Sequence, residues 1–140
     1  MSDFPEHPWC AATLDIVMRP LARLRSKVLP QAEGHVLEVG VGTGMNFKNY
    51  SNIDSLVGIE PDPHMLRRAR ARTGDLPFPV RLEQASAEAL PFDDASFDTA
   101  VMTWVLCTIP APERAVAEVF RVLKPGGRLV YAEHTRAKGG

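Results

Sequence analysis

The chain has 140 residues, 45% of them hydrophobic and 24% charged, with a formal net charge of −1. That length supports one globular domain with a single core and leaves no room for a second. The near-neutral balance supplies no basic face for nucleic acid, no stretch approaches the roughly 18 apolar residues of a membrane span, and the polar start at Ser2, Asp3, Pro5 and Glu6 does not resemble a secretory leader, so a cytoplasmic protein is expected.

Residues 13–29 carry Leu14, Val17, Leu21, Leu24 and Val28 on one helical stripe, with Arg19, Arg23, Arg25 and Lys27 largely off it. This predicts an amphipathic helix, kinked or split at Pro20. Such a helix packs on a sheet or caps a ligand pocket, and its basic face could also meet an anionic membrane surface. Residues 1–34 are therefore set apart as an N-terminal helical segment, and the core is assigned to 35–140. Within the core, short apolar runs alternate with helical patterns: Val36 to Val39, Leu56 to Ile59, Val80 to Leu82, Phe97 to Met102 and Leu129 to Ala132. Several are nearly continuous in Val, Leu and Ile, as parallel strands covered on both faces are, so a doubly wound α/β sheet is predicted. Connecting helices are read at Asn46 to Tyr50, Pro63 to Arg72 and Pro112 to Leu123, with Pro125-Gly126-Gly127 ending the last; Ala85 to Ser96 is read as an ordered loop.

The first strand runs into Glu38-Val39-Gly40-Val41-Gly42-Thr43-Gly44. Glycine at three alternate positions lets a ligand approach the main chain where a strand gives way to a helix. In doubly wound sheets ligands collect beyond the carboxyl ends of the strands, which is where this loop falls. Similar glycine runs serve dinucleotides, and Glu38 separates the two readings: a carboxylate there repels a pyrophosphate and suits a cationic ligand. Glu60, followed by Pro61, closes the second strand twenty positions after Gly40, the spacing at which an acidic side chain meets the hydroxyls of a ribose. Met65, on the helix that follows, is placed either on an adenine face or in the core. The run Arg67 to Arg72 reads as a solvated helix end, Asp93-Asp94 as a turn, and Asp98 as a structural residue at the start of the fourth strand. Cys10 and Cys107 lack metal-ligand spacing and read as plain thiols; Cys107 is either a small buried residue or, being close to a strand end, part of a site. His134, at the end of the fifth strand, is the first histidine to test as a base, whereas His64 belongs to the helix near the ribose and His7 and His35 serve surface or packing.

The order E-x-G-x-G-T-G resembles the first motif of class I S-adenosylmethionine-dependent methyltransferases, whose cofactor carries an ammonium, a carboxylate and a sulfonium but no phosphate. Ala85 to Phe92 followed by Ser96-Phe97-Asp98 resembles the next motif of that family, with Ser86 standing where an acidic residue is common. The resemblance implies that Ser86, Ala87 and Glu88 hold the adenine edge and that Thr103 meets the ammonium. Arg121 to Leu129 resembles the helix end, turn and strand after the catalytic motifs, so the matches run from Val36 to His134 in order. The likeness is nearest to the quinone-biosynthesis, phospholipid and thiol methyltransferase branch. It implies a strand order of 3-2-1-4-5, without the last two strands of the family, and a metal-free in-line transfer of methyl to a small-molecule or lipid-like acceptor. The cofactor-binding set it implies is Glu38, Gly40, Gly42, Thr43, Gly44, Glu60, Pro61, Met65, Ser86, Ala87, Glu88 and Thr103. A truncated enzyme, or a minimal core completed by self-association along the open fifth-strand edge, is expected. Two other classes stay open. One is a nicotinamide-dependent oxidoreductase, opposed by Glu38 and by Met45 where the third glycine of G-x-G-x-x-G falls; the other is a non-catalytic cofactor-binding or interaction domain.

Overall fold

The computed structural model describes residues 22–132; the first part of the helix expected over 13–29, Cys10 and His134 lie outside the described residues. The chain begins there with α1 (Ala22–Val28), a 3-10 turn at Leu29–Gln31 and β1 (Gly34–Val39). It continues through β2 (Ile53–Ile59), α2 (Pro63–Arg70), β3 (Val80–Glu83), β4 (Phe97–Thr103), α3 (Pro112–Val122) and β5 (Leu123–Ala132). The strands form one parallel sheet in the order β3-β2-β1-β4-β5. β1 sits at its centre, with Val36 paired to Leu56 on β2 and to Thr99 on β4.

The period of two along a strand sends Val36 and Glu38 to one face of β1 and Leu37 and Val39 to the other. Val36 joins Leu29, Phe47, Tyr50, Leu66 and Phe78 in one core cluster, and Leu37 and Val39 join Met102 and the α3 residues Ala115, Val119 and Val122 in a second. Full burial of an aliphatic side chain is worth roughly 1.5–3 kcal/mol, so this double coverage explains why the strands are continuous in Val, Leu and Ile.

Asp62 caps α2, accepting from the N–H groups of His64 at 2.8 Å and Met65 at 3.3 Å, with Pro63 as the first helical residue. Asp98 accepts from the His35 N–H at 2.8 Å and from Lys124 Nζ at 3.1 Å, a structural clamp at the start of β4 as expected.

Three local expectations are corrected. Asn46 to Tyr50 is not an α-helix but a 3-10 turn at Phe47–Asn49, too short to close further turns. The last helix stops at Val122, ahead of the proline signal, and β5 begins at Leu123 because Lys124 precedes Pro125 and is biased to extended backbone. Between the pairs Phe97–Leu123 and Thr99–Arg128 the ladder is irregular, which accommodates Pro125-Gly126-Gly127 inside the strand. On α1, Leu24 is exposed and Arg25 is buried, the reverse of the helical stripe read from the sequence. Among the described residues no helix is long and apolar enough to cross a membrane.

Candidate functional site

A cavity of about 410 Å³ opens beyond the carboxyl ends of β1, β2 and β4. Its floor is the loop from Gly40 to Thr43. Gly40 has φ +72°, and a Cβ there would lie 2.3 Å from Val105 Cγ2, so only glycine lets the β4 loop close over the end of β1. Gly42 has φ +55°, and a Cβ there would meet nothing within 4 Å. Here the main chain fronts open space.

Glu60 stands at the tip of β2, 7% exposed. Its Oε1 accepts the Gly42 N–H at 2.9 Å and its Oε2 accepts the Asp62 N–H at 3.0 Å. One carboxylate thus fixes both the glycine loop and the entry to α2. Each oxygen has capacity for one further donor, as a pair of vicinal hydroxyls would require. Burial raises the pKa of this carboxyl, opposed by the two amide bonds.

Of the sequence-predicted site residues, Gly40, Gly42, Thr43, Glu60, Pro61, Met65, Ser86, Ala87, Glu88 and Thr103 all line this cavity. Glu38 and Gly44, expected at the ligand, sit behind the wall. A Cβ on Gly44 would strike the Phe47 ring at 2.6 Å and the Ala69 backbone at 3.2 Å, so that glycine serves the packing of the loop against α2. Glu38 is 1% exposed and accepts the Tyr50 hydroxyl at 2.5 Å. Burial pushes its carboxyl up to about 8, against hydrogen bonds from Tyr50 and Asn46 and the positive charge of Arg25. Desolvation outweighs those partners, so this carboxyl holds its proton more tightly than an exposed glutamate does. The expected negative charge at the tip of β1 is therefore internal, and Asn46, on the cavity wall, stands between it and the ligand space. Asn46 also donates to Thr103 Oγ1 at 2.9 Å, linking the loop to the end of β4.

Sequence reasoning missed Asn46 and Arg25 as site residues. Arg25 lines the cavity from α1 and is 5% exposed, its guanidinium carbon 5.2 Å from the centroid of the Trp104 ring. Amphipathic patterning assigns an arginine to solvent, so no local signal marked it. Cys107, one of whose readings was a buried residue, is exposed on the 3-10 turn Leu106–Thr108 and lines the cavity. The loop bearing Ser86 to Glu88 is held from outside: Arg121 donates from Nη1 to the Phe92 carbonyl at 2.8 Å and from Nη2 to the Leu90 carbonyl at 3.0 Å, while Glu118 accepts the Leu90 N–H at 2.9 Å. Within that loop the Ser86 hydroxyl oxygen accepts the Glu88 N–H at 3.2 Å.

A glycine loop at the end of β1, an acidic side chain at the tip of β2 and a 3-2-1-4-5 parallel sheet define the comparison with known proteins. The methyltransferase domain family matches residues 37–131. The chain belongs to the class I S-adenosylmethionine-dependent methyltransferases. It is 42% identical over 109 residues to the phosphatidylethanolamine N-methyltransferase of Cereibacter sphaeroides, covering 76% of this chain and 54% of that protein. It is 37% identical over 112 residues to a thiol S-methyltransferase of Homo sapiens, covering 78% of this chain and 46% of that one. Among solved structures, an S-adenosylmethionine-dependent methyltransferase of Thermotoga maritima superposes with a TM-score of 0.68 at 30% identity, over 86% of this chain and 56% of that one. The [4+2]-cyclase SpnF superposes with a TM-score of 0.69 at 32% identity, over 81% and 44%. The chain spans about half the length of the curated relatives it matches.

The cofactor of this methyltransferase family is S-adenosylmethionine, and the residues present fit it. Glu60 offers two acceptors for ribose hydroxyls, the main chain at Gly42 leaves open space, and Glu60, Asp62 and Glu88 on the wall disfavour a pyrophosphate. The nicotinamide reading is set aside on the same grounds.

Proposed function

We propose that this chain binds S-adenosylmethionine in the cavity above β1, β2 and β4 and directs its methyl group to a small-molecule or lipid-like acceptor. The observation that carries the reading is the doubly anchored Glu60 beside the open main chain of Gly42. Bound S-adenosylmethionine would supply a methyl group already activated on a sulfonium for in-line displacement by a nucleophile of the acceptor, with S-adenosylhomocysteine as the leaving group. The work left to the protein is alignment and exclusion of water, which can lower a bimolecular barrier by about 7–11 kcal/mol. Glu60 would receive the ribose hydroxyls, Met65 and Pro61 would lie beside the base, and Ser86 would offer a hydroxyl to its edge, all of them lining the cavity. Trp104, Val105, Ile109 and Pro110 give the opposite wall an apolar character that suits a lipid-like or thiol acceptor. The phosphatidylethanolamine and thiol methyltransferase relatives support that acceptor class. α1 acts as a cap over one end of the cavity through Arg25.

Calorimetric titration with S-adenosylhomocysteine tests the binding half: saturable one-to-one binding is expected, and folded protein that takes up neither this nor S-adenosylmethionine overturns the proposal. The transfer half is tested by methyl incorporation into alkyl thiols, phosphatidylethanolamine vesicles and reduced quinones. A second reading, an adenosyl-binding domain without methyl transfer, is favoured by the likeness to a structure described as a cyclase. Binding without turnover across all three acceptors selects it.

A further inference from the structure

A chain of side-chain hydrogen bonds runs from beneath the glycine loop to the cavity wall. Tyr50 donates to Glu38 Oε1 at 2.5 Å, and Asn46, 5% exposed, lies beside the same carboxyl. Asn46 donates from Nδ2 to Thr103 Oγ1 at 2.9 Å, and Thr103 lines the cavity at the end of β4. Two atoms of this chain lack a complement: Glu38 Oε2 and Asn46 Oδ1 are both buried oxygens without a hydrogen-bond partner. Two acceptors satisfy each other only through a proton between them. Tyr50 stays a donor to Oε1, because burial and the charge of Glu38 push the pKa of its hydroxyl up. The proton that varies in this cluster is therefore the one on Glu38.

We propose that Glu38 is a positioning residue: acting through the Asn46 amide, it sets whether the Thr103 hydroxyl offers the cavity a donor or only lone pairs. With the carboxyl ionised, Asn46 keeps Nδ2 toward Glu38 and Thr103 Oγ1, so the Thr103 proton is free to point into the cavity. With the carboxyl protonated, Oε2–H needs an acceptor, and the amide oxygen of Asn46 supplies it by turning into the place of the nitrogen. The Thr103 hydroxyl then donates to that oxygen, and its lone pairs face the ligand space. Glu38 is faced by Tyr50 and Asn46 from the segment between β1 and β2, by Arg25 from α1, whose positive charge favours ionisation, and by Glu60 at the tip of β2, which opposes it. Its register neighbours, Gly58 on β2 and Val101 on β4, carry no charge. Burial raises its pKa to about 8, which brings both forms within reach of neutral pH.

The relay belongs to the free protein, whereas its effect on binding rests on the S-adenosylmethionine reading, and two measurements separate them. In unliganded protein followed by NMR as pH rises through about 8, the Asn46 side-chain amide and the Thr103 Cβ resonances are expected to move with the same midpoint as the Glu38 carboxyl carbon. In Glu38→Gln both are expected to stay fixed. Asn46 and Thr103 resonances that hold still while Glu38 titrates overturn the proposal, as does a Glu38 that titrates in the ordinary carboxylate range. The second measurement is calorimetric titration with S-adenosylhomocysteine below and above that midpoint. Glu38→Gln reports the ionisation of the ligand itself, and wild type is expected to show a further change in affinity of roughly 3- to 10-fold, the worth of one hydrogen bond. Thr103→Val, which keeps Glu38, is expected to lose that excess; an excess that survives in Thr103→Val, or is missing from wild type, overturns the proposal. Failure of the wild type to bind at any pH refutes the cofactor reading and leaves the NMR titration to judge the relay. Because that titration reads wild-type protein, a poorly folded variant does not blunt it.

Discussion

At the scale of single residues the site is governed by two buried carboxyls with different tasks. Glu60 is hydrogen-bonded to two main-chain amides and faces the cavity, and Glu38 is locked under the loop by Tyr50. Replacing Glu60 by Gln keeps the size but puts an amide donor against one of those N–H groups. S-adenosylhomocysteine affinity is expected to fall by the worth of one or two charge-assisted bonds, about 1.5–3 kcal/mol each, read by calorimetry. Glu38 makes a prediction about pH. Its carboxyl is near 4.5 in the unfolded chain and about 8 in the folded one, so across that window the folded protein keeps a proton that the unfolded chain has released. Its contribution to stability is thus fully present below pH 4.5 and is lost as pH rises through about 8. Thermal melts should give a Tm that declines over this interval in wild type and declines less in Glu38→Gln; parallel pH profiles for the two would remove Glu38 as the cause. The place of Glu60 at the cavity was legible from its spacing to Gly40, but the burial of Glu38 was not. Glu38 announced a negative charge at the strand tip, but the tyrosine that holds it lies twelve residues away, and burial deep enough to raise the pKa of a carboxyl leaves no mark in a motif.

At the scale of elements, the site is a set of strand ends tied together by loops. The strands could be read from their runs of Val, Leu and Ile because burial on both faces removes the polar alternation. The order of the strands could not be read from the runs themselves and came only with the family likeness. The orientation of α1 was misread, since a cavity interrupts the apolar surface against which helical stripes are counted, and Arg25 turns toward that gap while Leu24 faces solvent. Two predictions belong here. Gly40→Ala must adopt a left-handed backbone, at roughly 1–2 kcal/mol, and drives a methyl group into Val105. It should lower Tm and weaken ligand binding together. Arg121 braces the loop that carries Ser86 to Glu88 from behind, through the carbonyls of Leu90 and Phe92. Arg121→Met should speed amide hydrogen exchange at Leu90 and reduce ligand affinity with no change at Glu60; unchanged exchange would show that Glu118 alone secures the loop.

At the scale of the whole molecule, β5 is the last strand of the sheet among the described residues, with Tyr131 on it 64% exposed and Phe120 of the neighbouring α3 62% exposed. An edge of unpaired main-chain groups beside apolar side chains favours pairing with another chain. Sedimentation velocity on these 140 residues should reveal concentration-dependent association that Tyr131→Lys diminishes; a monomer at all concentrations would show that the edge is protected by other means. The bracing of Glu60 has a different consequence, one for redesign. The side chain that would discriminate among ligands is also the keystone of the turn beneath it, so retuning the pocket for a synthetic analogue cannot proceed by swapping that one position. Loop, carboxyl and helix start would have to be rebuilt as a single module.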